Sequence, residues 1–361
     1  MSFVNFRNLE NKNIHFSPRF NLFFGKNGQG KTSILEAIYF SITGKSFRTS
    51  KVLELIQYNR NKMGSYISYR DLISEKTLSV KMDNKVKEYN YNKKKVPFDE
   101  FYGKMNVVTF IPEDIDLILG SPLIRRNFFD GEISQTNFEY LQNLKKYNKV
   151  LKIRNKYLKE RKNRDELFLI YEEEFIKLAA KIIKIRLEYV KNISIILNLN
   201  YRKLFDDKKE LELVYETFFE EVKGIDEKDI VKKLKEKIDA TRHLEEKYGF
   251  SIVGPQKDDF KFLLNKRDAK SYSSQGEKKS IIFSLKLSEI DMVIKERREP
   301  PIFIIDDISS YFDSIRKENI INYLKKRSLQ VFISSTLKLD IESKNFLVEK
   351  GEIHEGVNER K

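Results

Sequence analysis

The sequence contains no cysteine and only three histidines among its 361 residues. Without thiols there is neither a disulfide framework nor a thiolate metal site, which indicates an intracellular protein. His15, His243 and His354 are far apart in sequence, so they suggest no shared metal site. Apolar runs of the roughly 18 residues that a membrane span requires are missing, and the first residues lack the apolar stretch of a secretory signal. We therefore expect a cytoplasmic protein.

Positive charge is in excess. Lysine and arginine number 69 against 54 aspartates and glutamates, which gives a net charge of +15. A polyanionic partner is therefore expected, nucleic acid before anionic lipid. The excess is localised, because residues 125–164 hold 12 basic and 4 acidic residues and so more than half of the net charge.

Glycine is scarce in the middle of the chain. Residues 122–248 contain only Gly131 and Gly224 and show long helical periodicity. Short strand-like runs dominate residues 1–121 and return in residues 249–361. This order predicts one α/β domain that is formed by the two end segments and split by the helical segment as an insertion. The alternative is three consecutive domains, the last with a small core of its own.

A glycine-rich loop follows the strand-like run FNLFF. The segment GKNGQGKT fits the pattern G-x-x-x-x-G-K-[ST], whose glycines let backbone N–H groups curl around phosphate oxygens. Lys31 is expected to reach the β- and γ-phosphates, and the Thr32 hydroxyl is expected to bind Mg²⁺. An amphipathic helix that ends at Gly44 should follow. The residues expected to bind the nucleotide are Gly25, Lys26, Asn27, Gly28, Gln29, Gly30, Lys31, Thr32 and Ser33.

Two adjacent carboxylates follow an apolar run near the other end of the chain. Ile302–Ile305 are typical of a buried parallel strand, and Asp306 and Asp307 come directly after it. In a P-loop fold this is where a carboxylate holds Mg²⁺ through water, the role we assign to Asp306. Asp307 is the candidate for polarising an attacking water, with Lys31 as the other catalytic candidate; a simple turn cap is the alternative for Asp307. Both motifs should lie in one sheet.

A third polar turn, YSSQGEKKS, runs directly into an apolar helix. Its helix N-terminus presents free N–H groups beside Ser274 and Gly276. One explanation is that this N-terminus binds the γ-phosphate of a nucleotide held by another copy of the protein. The alternative is an ordinary capped helix.

The segment SQGEKKS resembles the signature motif of ABC-type ATPases, in particular the version found in the RecF family. Other motifs are similar to those of this family and occur in the same order. They are FRN at 6–8, GKSFRTSK at 44–51 with Phe47 in place of His, FIPEDIDLILGSPLIRRNFFD at 110–130, and VGPQKDD at 253–259. The likeness spans most of the chain and is weakest at about 165–240.

The resemblance implies a P-loop head domain like those of SMC and ABC ATPases. Two molecules would hold two ATP molecules between them, with Ser274, Gly276 and Glu277 of one completing the site of the other. Arg7 would contact phosphate or ribose. The implied function is DNA binding at junctions of single and double strands in gap repair, and help in loading the recombinase together with RecR and RecO. Hydrolysis would be weak and would act as a switch.

The chain departs from the family pattern after its second carboxylate. Tyr311 stands where the family has Glu, although Asp313 is retained. This difference puts communication across the dimer face in question. Ser335 and Thr336 occupy the place where ABC transporters carry a histidine, which agrees with slow hydrolysis.

Lysines spaced 4, 3, 4 and 3 residues apart lie in the most basic region and predict a positive stripe along one helix. The lysines are Lys145, Lys149, Lys152, Lys156 and Lys159, and the leucines expected to pack inward beside them are Leu141, Leu144, Leu151 and Leu158. Such a stripe would follow phosphates without reading bases. A solvated surface is the alternative. A second basic run, YNYNKKKV at 89–96, is expected to form a hairpin.

The sequence leaves one alternative function open and argues against two others. A P-loop enzyme that phosphorylates a small molecule would have no role with DNA and no partner signature. A structural SMC-like tether would need long heptad arms, which an insertion of this length does not allow. An ABC transporter subunit would carry a histidine where this chain has Ser335 and Thr336.

Overall fold

The computed structural model describes residues 1–71, 73–83, 86–162, 165–220 and 224–356. It divides into two compact units. One comprises Met1–Asp114 and Glu289–Lys361, and the other comprises Ile115–Ser288. The second unit is larger than the predicted insertion, because it also takes in residues 249–288. Their strand at Asp259–Leu264 pairs with a strand at Leu211–Glu216, which lies within the segment predicted to be helical.

The strands fall in both end segments and in the middle of the chain. They are β1 (Ser2–Val4), β2 (Lys12–Asn13), β3 (Phe20–Phe24), β4 (Lys62–Arg70), β5 (Glu75–Asp83), β6 (Lys87–Tyr91), β7 (Lys94–Val96), β8 (Val107–Phe110), β9 (Leu211–Glu216), β10 (Asp259–Leu264), β11 (Arg267–Asp268), β12 (Ile302–Ile305), β13 (Val331–Ser335), β14 (Lys344–Glu349) and β15 (Glu352–Glu355).

The longest helix, α6 (Glu166–Leu204), lies in the second unit. The α-helices are α1 (Lys31–Thr43), α2 (Phe98–Phe101), α3 (Asp116–Leu119), α4 (Pro122–Thr136), α5 (Phe138–Lys159), α6 (Glu166–Leu204), α7 (Glu227–Tyr248), α8 (Ala269–Tyr272), α9 (Gln275–Arg297), α10 (Ile308–Tyr311) and α11 (Ser314–Lys325). Short 3₁₀ helices occur at Val52–Leu55 and Pro112–Ile115. No helix in the described ranges is long and apolar enough to cross a bilayer.

The first unit contains a mainly parallel sheet of order β15-β14-β3-β13-β12-β8. Strands β3, β13, β12 and β8 run parallel, so their carboxyl ends meet at one edge. The glycine loop follows β3 and Asp306 follows β12. The prediction that these two motifs share one sheet is therefore confirmed.

Helix α1 lies between two sheets. It contacts β13 and β8 of the parallel sheet and β4 and β5 of an antiparallel sheet of order β2-β1-β4-β5-β6-β7. As a result 11 of its 13 residues are buried, and the predicted amphipathic pattern was wrong. The predicted end is confirmed, because Gly44 adopts a left-handed conformation and its N–H donates to the Phe40 carbonyl at 2.8 Å.

The second basic run forms the predicted hairpin. Strands β6 and β7 pair antiparallel and are joined by Asn92 and Lys93, both with positive φ (49° and 65°). Two successive residues with positive φ are typical of a type I′ turn. The Tyr89 ring packs against Phe101 with a centroid distance of 5.1 Å, so this tyrosine serves the core of the unit.

The second unit is organised around a buried arginine on its longest helix. The Arg186 side chain is 2% exposed and donates to Asp130 Oδ1 (2.7 Å), the Tyr140 hydroxyl (2.9 Å) and the Pro255 carbonyl (2.8 Å). Asp258 lies 3.8 Å away, and burial raises its pKa to about 6. Helices α4, α5 and α6 are thereby joined to the segment that contains VGPQKDD.

The VGPQKDD segment also contacts two arginines of the family-like motif at 110–130. The Arg125 guanidinium forms a two-point ion pair with Asp259 (2.7 and 2.8 Å), and Arg126 donates to the Asp258 carbonyl at 2.6 Å. Two motifs that are more than 120 residues apart in sequence are therefore structural partners.

The buried face of α5 differs from the predicted leucine stripe. Leu141, Leu144 and Leu151 are only half-buried. The buried residues are Tyr140, Asn143, Tyr147, Val150, Arg154 and Leu158. Several of these carry polar groups that find partners inside the unit, so a pattern of apolar residues alone could not identify this face.

We predict that Arg186→Met lowers the free energy of unfolding by about 3–5 kcal/mol, because Asp130 and Asp258 would lose the positive charge that compensates them. Urea unfolding followed by circular dichroism measures this change. Glu188→Gln, an exposed site on the same helix, should stay within about 0.5 kcal/mol of the parent. Equal stabilities for both variants would contradict the role given to Arg186.

Candidate nucleotide-binding site

The glycine loop closes around the Lys31 side chain. Lys31 Nζ donates to the carbonyl oxygens of Gly25 (2.6 Å) and Lys26 (2.9 Å), and the residue is 7% exposed. Burial lowers the pKa of Lys31, while Asp307 and Asp306 oppose that shift. Gly25 has a φ of 143°, and a Cβ there would lie 2.5 Å from the Val348 carbonyl oxygen. This position therefore requires glycine.

The outer side of the loop is braced by the turn between β14 and β15. The Gly351 N–H donates to the Gln29 carbonyl at 2.8 Å, and the Lys350 N–H donates to the Gln29 side-chain oxygen at 2.7 Å. The Ser33 hydroxyl donates to Asn8 Oδ1 at 3.1 Å. Gln29 and Ser33, both expected nucleotide ligands, thus also hold the loop in shape.

The two predicted magnesium ligands lie in direct contact. The Thr32 hydroxyl donates to Asp306 Oδ2 at 2.9 Å, and the Ser334 hydroxyl donates to Oδ1 at 2.5 Å. Burial is the main cause that raises the pKa of Asp306, and these two hydrogen bonds oppose it. Asp307 follows with a left-handed backbone (φ 52°), and its N–H donates to Ser334 at 2.8 Å.

These hard oxygen donors fit Mg²⁺, which prefers carboxylate, hydroxyl and phosphate oxygens. Within the described ranges no group of three His, Cys, Asp or Glu residues could hold a metal ion. An ion beside Thr32 and Asp306 would accordingly take its other ligands from phosphate and water. Such a site would depend on a bound nucleotide.

Arg7 is held by a buried carboxylate on α1. Its Nη2 donates to Glu36 Oε1 at 2.8 Å and its Nε donates to Oε2, while the Glu36 side chain is fully buried. Ser46 also donates to Glu36, and Arg48 lies 3.6 Å from it. The expected contact of Arg7 with phosphate or ribose stays a prediction. Glu36, which positions it, was missed by sequence reasoning.

A cavity of about 1100 Å³ opens beside the first turn of α1. Its lining includes Arg7, Asn8, Ser33, Arg48 and Tyr58. Tyr58 is 88% exposed, so its ring is available to a ligand in this space. The volume of this cavity is slightly above the usual range for ligand pockets.

The signature-like turn forms a capping box at the start of α9. The Ser274 N–H donates to Glu277 Oε2 (2.6 Å), and the Glu277 N–H donates to the Ser274 hydroxyl (3.2 Å). Lys209 donates to Glu277 Oε1 at 2.6 Å and is the main cause that lowers the pKa of Glu277 to about 2. Ser274 is exposed and Gly276 is half-buried, so the capped tip is open to solvent.

The lysine stripe lies on α5 as predicted. All five lysines, from Lys145 to Lys159, are exposed. Lys156 Nζ lies 3.9 Å from Glu160 Oε1. Because this ion pair is exposed, it contributes little to stability. Arg164, at the end of the basic region, lies outside the described residues.

Sequence comparison defines the family. The family model described as the RecF/RecN/SMC N terminal domain matches residues 1–350. The DNA replication and repair protein RecF of Alkaliphilus oremlandii (strain OhILAs) is 35% identical, over 98% of this chain and 98% of that protein. The chain belongs to the RecF family. The RecF of Halothermothrix orenii is 36% identical, over 92% of this chain and 90% of that protein.

Solved structures agree with the RecF assignment. The structure of the recombination mediator protein RecF-ATP is 33% identical and covers 99% of this chain and 96% of its own, with a TM-score of 0.92. An Smc head domain from Pyrococcus furiosus is 16% identical with a TM-score of 0.53, over 98% of this chain and 94% of its own, and supports the fold alone. The predicted P-loop ATPase head of the ABC/SMC type is confirmed.

We predict that Glu277→Gln lowers the free energy of unfolding by roughly 1 kcal/mol at pH 7, because the capping carboxylate and its bond to Lys209 are weakened. The folded pKa of about 2 is below the ordinary 4.5, so the ionised group stabilises the fold above about pH 4.5 and this contribution is lost as the pH falls towards 2. The difference between variant and parent should therefore shrink over this interval in urea unfolding.

The matched control is Glu236→Gln, an exposed site on α7, for which we expect no change in stability at either pH. If the free energies of unfolding of Glu277→Gln and the parent differ by the same amount from pH 7 to pH 2.5, the charge of the Glu277 carboxylate does not contribute to stability.

Proposed function

We propose that this chain is an ATP-dependent DNA-binding protein of DNA replication and recombinational gap repair. The contact between Thr32 and Asp306 beside the Lys31 loop carries the proposal, because a triphosphate with Mg²⁺ is the ligand that suits these groups together. The name of its RecF relatives supports a role in DNA replication and repair, and the RecF-ATP structure supports ATP binding.

The residues of the loop have distinct roles in this proposal. Lys31 neutralises the β- and γ-phosphates, and Thr32 and Asp306 hold Mg²⁺, which supplies charge neutralisation on the phosphate oxygens. Asp307 polarises the attacking water. Arg7, which is held by Glu36 and lines the cavity, would contact phosphate or ribose.

ATP would join two copies of the chain. The exposed tip formed by Ser274, Gly276 and Glu277 of one copy covers the γ-phosphate bound by the other. A ligand at 100 times its dissociation constant contributes about 2.7 kcal/mol per site, so two sites contribute roughly 5 kcal/mol to closure of the dimer. This shifts the dimer equilibrium several thousand-fold. Weak hydrolysis then serves as the release step.

DNA would be held through its phosphates by the lysine stripe of α5. Because such a stripe would contact phosphates and not bases, it would recognise DNA structure, namely single-strand/duplex junctions, over sequence. By family resemblance the closed dimer helps to load the recombinase together with RecR and RecO.

We predict that ATP, Mg²⁺ and a gapped duplex convert the protein from monomer to dimer in sedimentation. Lys31→Ala should lose nucleotide binding, whereas Ser274→Ala should retain binding and lose dimerisation. Ser271→Ala, an exposed serine outside the motif, is the control and should behave like the parent. A parent protein that remains monomeric under all these conditions would refute the dimer.

A second prediction concerns salt. If five stripe lysines meet phosphates, log K for duplex DNA should fall against log[salt] with a slope of about −4 to −5. Changing Lys149, Lys152 and Lys156 together to Gln should make this slope less steep by about 3. The control changes to Gln three exposed lysines of α7 that span the same number of residues, Lys228, Lys232 and Lys235, and should leave the slope unchanged. Identical slopes for the two triple variants would exclude the stripe as the DNA-binding surface.

A further inference from the structure

We propose that Tyr248 and Phe250 form a stacking platform for unpaired bases of single-stranded nucleic acid at one end of the lysine stripe. The proposal rests on the proposed DNA binding and deepens it, because it names the residues that would distinguish a single strand from a duplex.

The two rings lie side by side on the surface. Helix α7 ends at Tyr248, and Gly249 caps it in the left-handed conformation with φ 74°. This reversal places Phe250 next to Tyr248 with a ring-centroid distance of 6.0 Å and an interplanar angle of 24°. The residues are 54% and 42% exposed. Two nearly parallel aromatic rings that belong to no core present an open face on which a flat ligand can stack.

Lysines lie close to the two rings. A Cβ on Gly249 would lie 3.4 Å from the Lys159 Cα, so the turn rests on the last residue of the lysine stripe. Lys257 Nζ lies 5.0 Å from the Phe250 ring centroid. Lys247, in the last turn of α7, is also exposed. A nucleotide stacked here would have cations within reach of its phosphate.

The platform is fixed in place by buried polar contacts just after it. Asn155 Oδ1 accepts from the Ser251 N–H at 2.8 Å, and Arg154 donates to the Ser251 hydroxyl at 2.6 Å. The Ile252 N–H donates to Glu245 Oε1 at 2.9 Å. Because the segment is already ordered, a ligand that binds there pays little additional ordering entropy.

These features match single-stranded nucleic acid. Aromatic rings beside a positively charged track are the usual way to bind unpaired bases without sequence preference, and each stacked base contributes about 5- to 150-fold in affinity. Paired bases are already stacked inside the duplex and cannot reach exposed rings. The lysine stripe would therefore hold the duplex, and the rings would hold the strand that leaves it.

The first test uses fluorescence. The chain contains no tryptophan, so Tyr248→Trp introduces a single reporter. Adding a dT20 oligonucleotide should quench its emission in a saturable way. The control is Phe138→Trp, at the opposite, exposed end of α5, where no quenching is expected. Unchanged emission of the Tyr248→Trp protein at saturating dT20 would overturn the proposal, as would equal quenching of both reporters.

The second test measures affinity with ATP and Mg²⁺ at fixed salt. The double variant Tyr248→Ala with Phe250→Ala should bind a duplex carrying a single-stranded tail about 10- to 100-fold more weakly, with unchanged affinity for a blunt duplex. Tyr248→Phe with Phe250→Tyr keeps both rings and should restore tail binding, which separates stacking from a folding defect.

The outcomes distinguish the two proposals. If the parent protein binds neither DNA, the proposed function fails. If it binds both and the double alanine variant binds both equally well, only the platform fails, and the rings would be left as a contact for another protein.

Discussion

The hydrogen bond between Thr32 and Asp306 joins residues 274 positions apart in sequence, and the site depends on the sheet that brings them together. Because β3, β13 and β12 are parallel, the loop after β3 and the carboxylate after β12 emerge at the same edge. Strand β13 lies between them and provides Ser334, which binds the other oxygen of Asp306. Parallel pairing therefore fixes the distance between the groups proposed to bind phosphate and metal.

Features set by local sequence could be predicted from it. The glycine loop, the strand before it and the Gly44 helix end all follow from adjacent residues whose backbone demands are specific. The hairpin at 89–96 was predicted as well, although its type I′ turn at Asn92 and Lys93 was not. Asp306 could be identified because an apolar strand ends directly before it.

Features set by distant packing could not be predicted. Helix α1 has polar residues that suggest an exposed face, but Glu36 is buried by its ion pair with Arg7. Tyr140 and Arg154 occupy the inward face of α5 for the same reason, since their polar groups find partners on other elements. The boundary of the second unit likewise depends on the pairing of β9 with β10, which no local pattern reveals.

Buried charged groups specify how the helices of the second unit pack together. Arg186 and Arg154 each face two or more carboxylates or hydroxyls from separate elements. Apolar packing alone tolerates small shifts between helices, whereas a buried ion network is satisfied in only one register. The helices that carry the exposed lysines and aromatic rings of this unit are therefore held in fixed relative positions.

The hydrogen bonds from the β14–β15 turn to the glycine loop have a consequence for biosynthesis. Gln29 receives its hydrogen bond from Lys350, which the ribosome adds 321 residues later. At about 5–20 residues per second the delay is roughly 15 s to a minute. During that interval the emerging chain has the glycine loop but lacks the strands and the turn that shape it, so the loop takes its final form only after Lys350 has been added.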